Sequence, residues 1–246
     1  MTNPNMAVNG RRNFLKASAG VAAVTLAPGV LFIKIASAKR DDEAVTSARR
    51  WGMLINTAQC GDCNVCVDAC VTENGITSHG RPLTDPQWIR KMSVKDPGTG
   101  HVMSLPMLCQ HCESPPCVDV CPTGASFKRD DGIVLVDKHI CIGCRYCMMA
   151  CPYKARSFIH EVTTDQRAHA PRGKGTVESC TMCVHRVDQG EEPACVVACN
   201  SSGRQAMVFG DTKDPDSHIS RVLTRFGGQQ VRADLDLNTG VRYLGL

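Results

Sequence analysis

The sequence predicts an α+β, loop-rich fold in which two small units each form around a pair of cysteine-bearing loops related by a pseudo-twofold axis. Three observations predict it. Sixteen cysteines fall into four tight groups within 246 residues, aromatic residues make up only 4% of the chain, and a hairpin signal separates the two central groups. With 2 Trp, 3 Tyr and 6 Phe there is little aromatic surface for an ordinary core, so the chemistry of the cysteines must help to hold small units together.

The first element is an address. Arg11-Arg12-Asn13-Phe14-Leu15-Lys16 precedes a mostly apolar stretch from Ala17 to Ile35 and then Ala36-Ser37-Ala38, a small-x-small cleavage pattern. The segment 1–38 resembles a twin-arginine export signal, with Gly10 where such signals usually carry Ser or Thr. An uncleaved anchor is the alternative, but the run from Ala17 to Ile33 holds Pro28 and Gly29 and stops at Lys34, short of the roughly 20 residues a spanning helix needs. The expected location is the periplasm, peripheral on the cytoplasmic membrane. The twin-arginine route carries proteins already folded around their cofactors, which suits a metal-binding protein.

The segment also explains the charge. The net charge is +4, yet Arg11, Arg12, Lys16 and Lys34 lie in the first 38 residues, which hold no Asp or Glu, leaving 24 residues of each sign beyond them. That balance excludes nucleic acid as a partner, since phosphate binding needs a surplus of Lys and Arg.

The cysteine groups follow in order. Cys60, Cys63, Cys66 and Cys70 are spaced C-x2-C-x2-C-x3-C. Cys109, Cys112, Cys117 and Cys121 are spaced C-x2-C-x4-C-x3-C and followed by Pro122. Cys141, Cys144, Cys147 and Cys151 repeat the first spacing, with Pro152 next, and Cys180, Cys183, Cys195 and Cys199 carry eleven residues between their second and third members. The first and third spacings match the bacterial ferredoxin run, in which three close thiolates take three irons of one [4Fe-4S] cubane and the fourth cysteine ligates its neighbour. Three ligands on one loop converge on one face of a cluster, and amides of that loop can point at the sulfur. Disulfides suit an exported chain, but neighbours this close in a loop pair poorly. Structural zinc uses two Cys-x-x-Cys pairs per metal and fits best at the irregular fourth group. A single radical-generating cluster would leave twelve cysteines unexplained. The expectation is four [4Fe-4S] clusters, with the sixteen cysteines as iron ligands.

Between the second and third groups, Ser126-Phe127-Lys128-Arg129, a turn at Asp130-Asp131-Gly132 and the run Ile133 to Val136 predict a β-hairpin. These groups therefore make one ferredoxin-like unit. By the swapped fourth ligand, Cys109, Cys112, Cys117 and Cys151 share one cluster, and Cys141, Cys144, Cys147 and Cys121 share the next. The outer groups pair by exclusion: Cys60, Cys63, Cys66 and Cys199 on one cluster, Cys180, Cys183, Cys195 and Cys70 on the other. Residues 39–108 plus 176–246 then form an outer ferredoxin-like domain and 109–175 an inserted one.

Cys109-Gln110-His111-Cys112, Pro115-Pro116-Cys117, Asp131-Gly132-Ile133-Val134, Cys141-Ile142-Gly143-Cys144 and Cys151-Pro152-Tyr153 resemble the four-cluster iron-sulfur subunits of the dimethyl sulfoxide reductase family. Phe209-Gly210-Asp211 and Asp214-Pro215 extend the resemblance, which covers residues 50–246; Asn200 and Val71 stand where proline often follows the cysteine. The signal, Asp85-Pro86-Gln87-Trp88-Ile89-Arg90, Lys154-Ala155-Arg156-Ser157-Phe158 and Val241-Arg242-Tyr243-Leu244 are similar to the periplasmic iron-sulfur subunit of the dissimilatory sulfur-metabolism (Dsr) transmembrane complex. That resemblance implies electron transfer between a polytopic quinone-interacting membrane subunit and a periplasmic multihaem cytochrome c. The iron-sulfur subunits of tetrathionate reductase and of formate-dependent nitrite reduction are similar too.

The remaining features have plainer readings. His111 is expected to hydrogen-bond near a cluster or face solvent, and Lys128, Arg129, Arg145, Lys154, Arg156 and Arg186 to be solvated surface. Residues Thr72 to Leu108 hold Pro82, Pro86 and Pro97-Gly98 with little periodicity and predict irregular structure. Ser217 to Phe226 predicts a helix capped by Ser217, with Ile219, Val222 and Leu223 on one face. No phosphate loop, nucleophile elbow or paired carboxylates stand out, so the expectation is a non-catalytic electron-transfer subunit without a small-molecule substrate site of its own. A zinc-stabilised scaffold is the competing function.

Overall fold

The apolar run Trp51–Asn56 forms the central strand, β1, of the main sheet; its four inner residues are all buried, so it reads as a continuous apolar stretch rather than an alternating one. The structure, a computed structural model, describes residues 45–164 and 166–246. The export segment at 1–38 lies outside the described residues. Strand β1 is flanked on one edge by the late antiparallel strand Met207–Asp211, paired Trp51 to Asp211 and Ile55 to Met207, and on the other by the parallel Val241–Leu244. The two ends of the described chain are thus joined in one three-stranded sheet.

After β1 come α1 (Val65–Asn74), β2 (Ile89–Lys95) and β3 (Val102–Leu108). Helix α1 ends at Gly75, whose φ of 60° is the left-handed turn that glycine adopts without strain. The irregular structure expected from Thr72 to Leu108 is confined to residues 75–88. Strands β2 and β3 pair antiparallel over seven positions, from Ile89 opposite Leu108 to Lys95 opposite Val102. The turn is closed by the Asp96 carboxylate, which accepts the Gly98 N–H at 2.9 Å. The hairpin escapes sequence reading because Met92 and Val94 are exposed, which blurs the alternation, and because Pro106 sits inside β3. In a two-stranded ribbon a proline loses no second neighbour.

Next come α2 (Pro116–Asp119), β4 (Ser126–Lys128), β5 (Val134–Val136), α3 (Tyr146–Ala150), β6 (Arg156–Phe158), β7 (Val177–Ser179), α4 (Val184–Val187) and α5 (Ala194–Ser201). The expected hairpin is present: β4 and β5 pair from Ser126 opposite Val136 to Lys128 opposite Val134, and Gly132 turns at φ 88°. Strands β6 and β7 pair in a second hairpin. Two helix contacts organise the cysteine loops: α1 packs on α5, and α2 packs on α3.

The strand Met207–Asp211 is β8, α6 spans His218–Phe226, and Val241–Leu244 is β9. As expected, Ser217 caps α6, its hydroxyl accepting the Ser220 N–H at 3.2 Å, and Ile219 is fully buried while Val222 and Leu223 are half-buried. Ile219 lies over Gly210, where an added Cβ would stand 3.0 Å from its Cγ2. Cysteines make up a large part of the core, alongside Met53, Leu54, Ile55, Leu108 and Tyr243. Among the described residues no helix is long and apolar enough to cross a membrane.

Candidate functional site

None of the sixteen cysteines is in a disulfide, and the fold brings them together in sets. The contact of α1 with α5 joins the first and fourth sequence groups, because Cys66 and Cys70 lie on α1 and Cys195 and Cys199 on α5. Cys60, Cys63, Cys66 and Cys199 wall a small pocket with Val65, Arg204, Ala206 and Met207. Burial pushes the Cys66 thiol up to about 11, and neighbouring Cys60 and Cys199 add to the rise. Over the same loop, Lys91 Nζ donates to the carbonyls of Gly61 and Cys63. The partner set lies deeper. Cys70 is raised by burial first and then by Cys180 and Cys183, and Cys195 by burial and then by Cys183 and Cys70.

The contact of α2 with α3 does the same for the central groups, bringing Cys117 to Cys147. Cys109, Cys112, Cys117 and Cys151 wall a second small pocket with Pro115, Pro116, Val134, Pro152, Tyr153 and Arg156. Burial raises Cys109 and Cys112 to about 12. Beside them, Cys147 neighbours both Cys141 and Cys121. Cys144, the remaining member, is exposed at the surface. Gly143 holds this loop in place: its φ is 70°, and an added Cβ would lie 2.1 Å from the Gly175 carbonyl oxygen.

The sets also influence one another in succession. Cys66 lies near enough to Cys195 to help raise its thiol, Cys109 does the same for Cys180, and Cys147 for Cys117. The thiols therefore run from the 60/63/66/199 set through 70/180/183/195 and 109/112/117/151 to the set at the exposed Cys144.

The surroundings fit an anionic, sulfur-ligated group. Backbone N–H groups donate to sulfur at Cys121 from Ser126 (3.3 Å), at Cys180 from Met182 (3.3 Å), and at Cys141 from Val177 (3.5 Å). At Cys121 burial is the largest influence and raises the thiol, but the Ser126 N–H, the Thr123 hydroxyl and nearby amides together bring it below its ordinary value. Arg156 corrects its expected place on the surface: it is 5% exposed, and its Nη2 donates to Cys117 Sγ at 3.1 Å and to Ser126 Oγ at 2.8 Å. Its Nε has no partner among the described residues. Burial works against its charge, yet Cys117, Cys109 and Cys147 outweigh this and hold the guanidinium above its usual value. A buried cation needs a compensating anion, and the sulfurs of Cys117, Cys109 and Cys147 are the groups that surround this one. Arg129 is likewise paired, with Asp131 (2.8 Å) and Asp188 (2.7 Å), and Lys128 is paired with Glu113 (2.6 Å). His111 does not face solvent: it is buried at φ 43°, accepts the Val134 N–H on Nδ1 at 3.0 Å, and is held well below its usual pKa, at about 3, by burial.

Replacing Arg156 by Gln removes that charge and is expected to lower the reduction potential of the adjacent cofactor by on the order of 50–100 mV, the effect of one charge several ångströms away at an intermediate dielectric. Potentiometric titration of the two holoproteins checks it, and an unchanged potential contradicts it.

Comparisons with known proteins agree with this architecture. Residues 59–125 and 100–212 each match a 4Fe-4S dicluster domain, and residues 9–28 match the twin-arginine translocation (TAT) pathway signal sequence. The chain is 41% identical to the Hdr-like menaquinol oxidoreductase iron-sulfur subunit 1 of Archaeoglobus fulgidus, over 96% of this chain and 98% of that one. It is 39% identical to a tetrathionate reductase subunit of Salmonella typhimurium (80% of this chain, 73% of the other) and 38% identical to a polysulfide reductase chain of Wolinella succinogenes (72% and 84%). The cofactors are iron-sulfur clusters of the 4Fe-4S type, and the signal marks the chain for export. With these clusters, this signal and these relatives, the protein belongs to the iron-sulfur electron-transfer subunits of the dimethyl sulfoxide reductase family.

Proposed function

We propose that the protein is a periplasmic electron relay with four [4Fe-4S] clusters, passing electrons between a quinone-interacting membrane subunit and a multihaem cytochrome c in dissimilatory sulfur metabolism. The observation that carries this reading is the unbroken succession of thiol sets, from Cys60, Cys63, Cys66 and Cys199 at one end to Cys121, Cys141, Cys144 and Cys147 at the other. Bound clusters would supply one-electron redox capacity at each set. The chain's own residues do the rest: buried thiols exclude water, amides and Arg156 favour the anionic form of sulfur, and the α1–α5 and α2–α3 contacts fix the sets in order. The same contacts support an outer domain, 39–108 plus 176–246, enclosing an inserted domain, 109–175. The 41% identity to a menaquinol oxidoreductase subunit across nearly its whole length supports a quinone-active membrane partner.

A second reading, subunit of an exported molybdenum reductase, is favoured by the 39% identity to the tetrathionate reductase subunit. Purification of the protein from gently solubilised native membranes tests the choice. A quinone-active membrane protein and a haem-staining cytochrome are the expected companions; a molybdopterin subunit in their place overturns the first reading in favour of the second.

A further inference from the structure

One cluster of metal-ligating side chains lies apart from the thiols. Glu73 on the last turn of α1, His169 in the connection from β6 to β7, and His185 on α4 bring three ligand atoms within 4.8 Å of one another. The segments are remote in sequence, 96 residues separating Glu73 from His169 and 112 separating it from His185. We propose that these three residues form a binding site for a single divalent transition-metal ion of the zinc class, clasping the β6–β7 connection onto α1 and α4.

Ligand atoms bonded to one zinc at about 2.0–2.2 Å stand a few ångströms apart, which this triad already satisfies. His185 Nε2 is 2.8 Å from Glu73 Oε1, and His169 Nε2 is 3.0 Å from the Glu73 carbonyl oxygen. The other carboxylate oxygen, Oε2, receives Arg186 Nη1 at 3.4 Å, so Glu73 would bind the metal through Oε1 alone while Arg186 orients it. Arg186 is shared with Glu191 at 3.2 Å and does not fill the site.

One detail separates this cluster from a plain ion pair. The imidazoles of His169 and His185 are stacked at 3.7 Å with 23° between their planes. The stacking holds both rings beside Glu73, where one ligand atom from each of the three residues lies within 4.8 Å of the others. Two histidines and one carboxylate, with open positions left for water, make a donor set suited to zinc.

The test uses anaerobic holoprotein of known iron content, incubated with zinc sulfate and desalted. Wild type is expected to retain about one zinc per molecule in a nitrogen and oxygen shell at about 2.0–2.1 Å by zinc-edge X-ray absorption. His169→Ala removes an exposed side chain and is expected to lose the zinc with iron content unchanged; Glu73→Gln is expected to weaken retention at least about tenfold. The proposal is overturned if wild type with full iron retains no zinc, if His169→Ala retains it equally, or if the shell is sulfur at about 2.3 Å, which would put the metal on cysteines. Iron is counted in the same samples, so failure of this site and failure of the electron-relay reading are distinguishable.

Discussion

Cys180→Ala is expected to bring the holoprotein from about 16 irons per molecule to about 12 and to abolish electron transfer from one end of the molecule to the other. Cys180 is buried, and its thiol is raised by Cys195 and Cys183 of its own set and by Cys109 of the next. It therefore holds an interior position in the succession of thiols, where one lost cofactor interrupts every route between the ends. Cys144→Ala provides the comparison. Its thiol is exposed in the terminal set, so a similar loss of iron should leave transfer among the other three sets intact. Iron analysis and stopped-flow oxidation of pre-reduced protein check both variants. Unchanged iron in Cys180→Ala would remove that residue from the ligand set, and unchanged transfer despite lost iron would remove its set from the route.

The second large effect concerns stability. Glu178 on β7 is fully buried, and its carboxylate accepts two parallel hydrogen bonds from Arg172, Nε to Oε2 and Nη2 to Oε1, both at 2.9 Å. Arg172 also donates from Nη1 to the carbonyl of Gly75 at 2.9 Å, tying β7 to the end of α1. Glu178→Ala leaves that guanidinium buried and uncompensated. Removal of one partner from such a pair costs about 3–5 kcal/mol, which lowers the apparent Tm of a domain this size by about 6–20 °C. Because β7 leads directly into Cys180, iron should be lost at lower temperature too. Thermal melts of anaerobic holoprotein, followed by circular dichroism and visible absorbance, check this. Glu178→Gln should lose less, since the amide oxygen still accepts from Arg172; equal melting of Glu178→Ala and wild type would contradict the account.

Much of the site was legible in the sequence because cluster ligation is local: three thiols within seven residues leave few alternatives. The β4–β5 hairpin and the capped helix α6 were legible for the same reason, resting on Gly132 and Ser217, short-range signals with known geometry. What escaped was long-range. The β8-β1-β9 sheet depends on β1 meeting strands more than 150 residues away, and no local pattern announces that register. The β2–β3 hairpin was hidden by the exposed Met92 and Val94 and by Pro106, whose carbonyl accepts the Tyr243 hydroxyl at 3.0 Å. Arg156 was misplaced because charge biases a residue towards the surface, and only the packing of sulfurs around it reverses that bias; of the two places expected for His111, the structure has the hydrogen-bonded one beside the thiols. The Glu73, His169 and His185 cluster is invisible along the sequence, since its members meet only once α1, α4 and the β6–β7 connection are folded together.

The central claim is that the sixteen cysteines hold four [4Fe-4S] clusters, and the most direct measurement is iron and acid-labile sulfide per molecule in anaerobically purified protein, with electron paramagnetic resonance during stepwise reduction. The account predicts about 16 irons and about 16 sulfides per molecule and, on full reduction, interacting cluster signals. Stoichiometric zinc in the cysteine sets, with no iron-sulfur signal, would contradict it and leave a metal-stabilised scaffold.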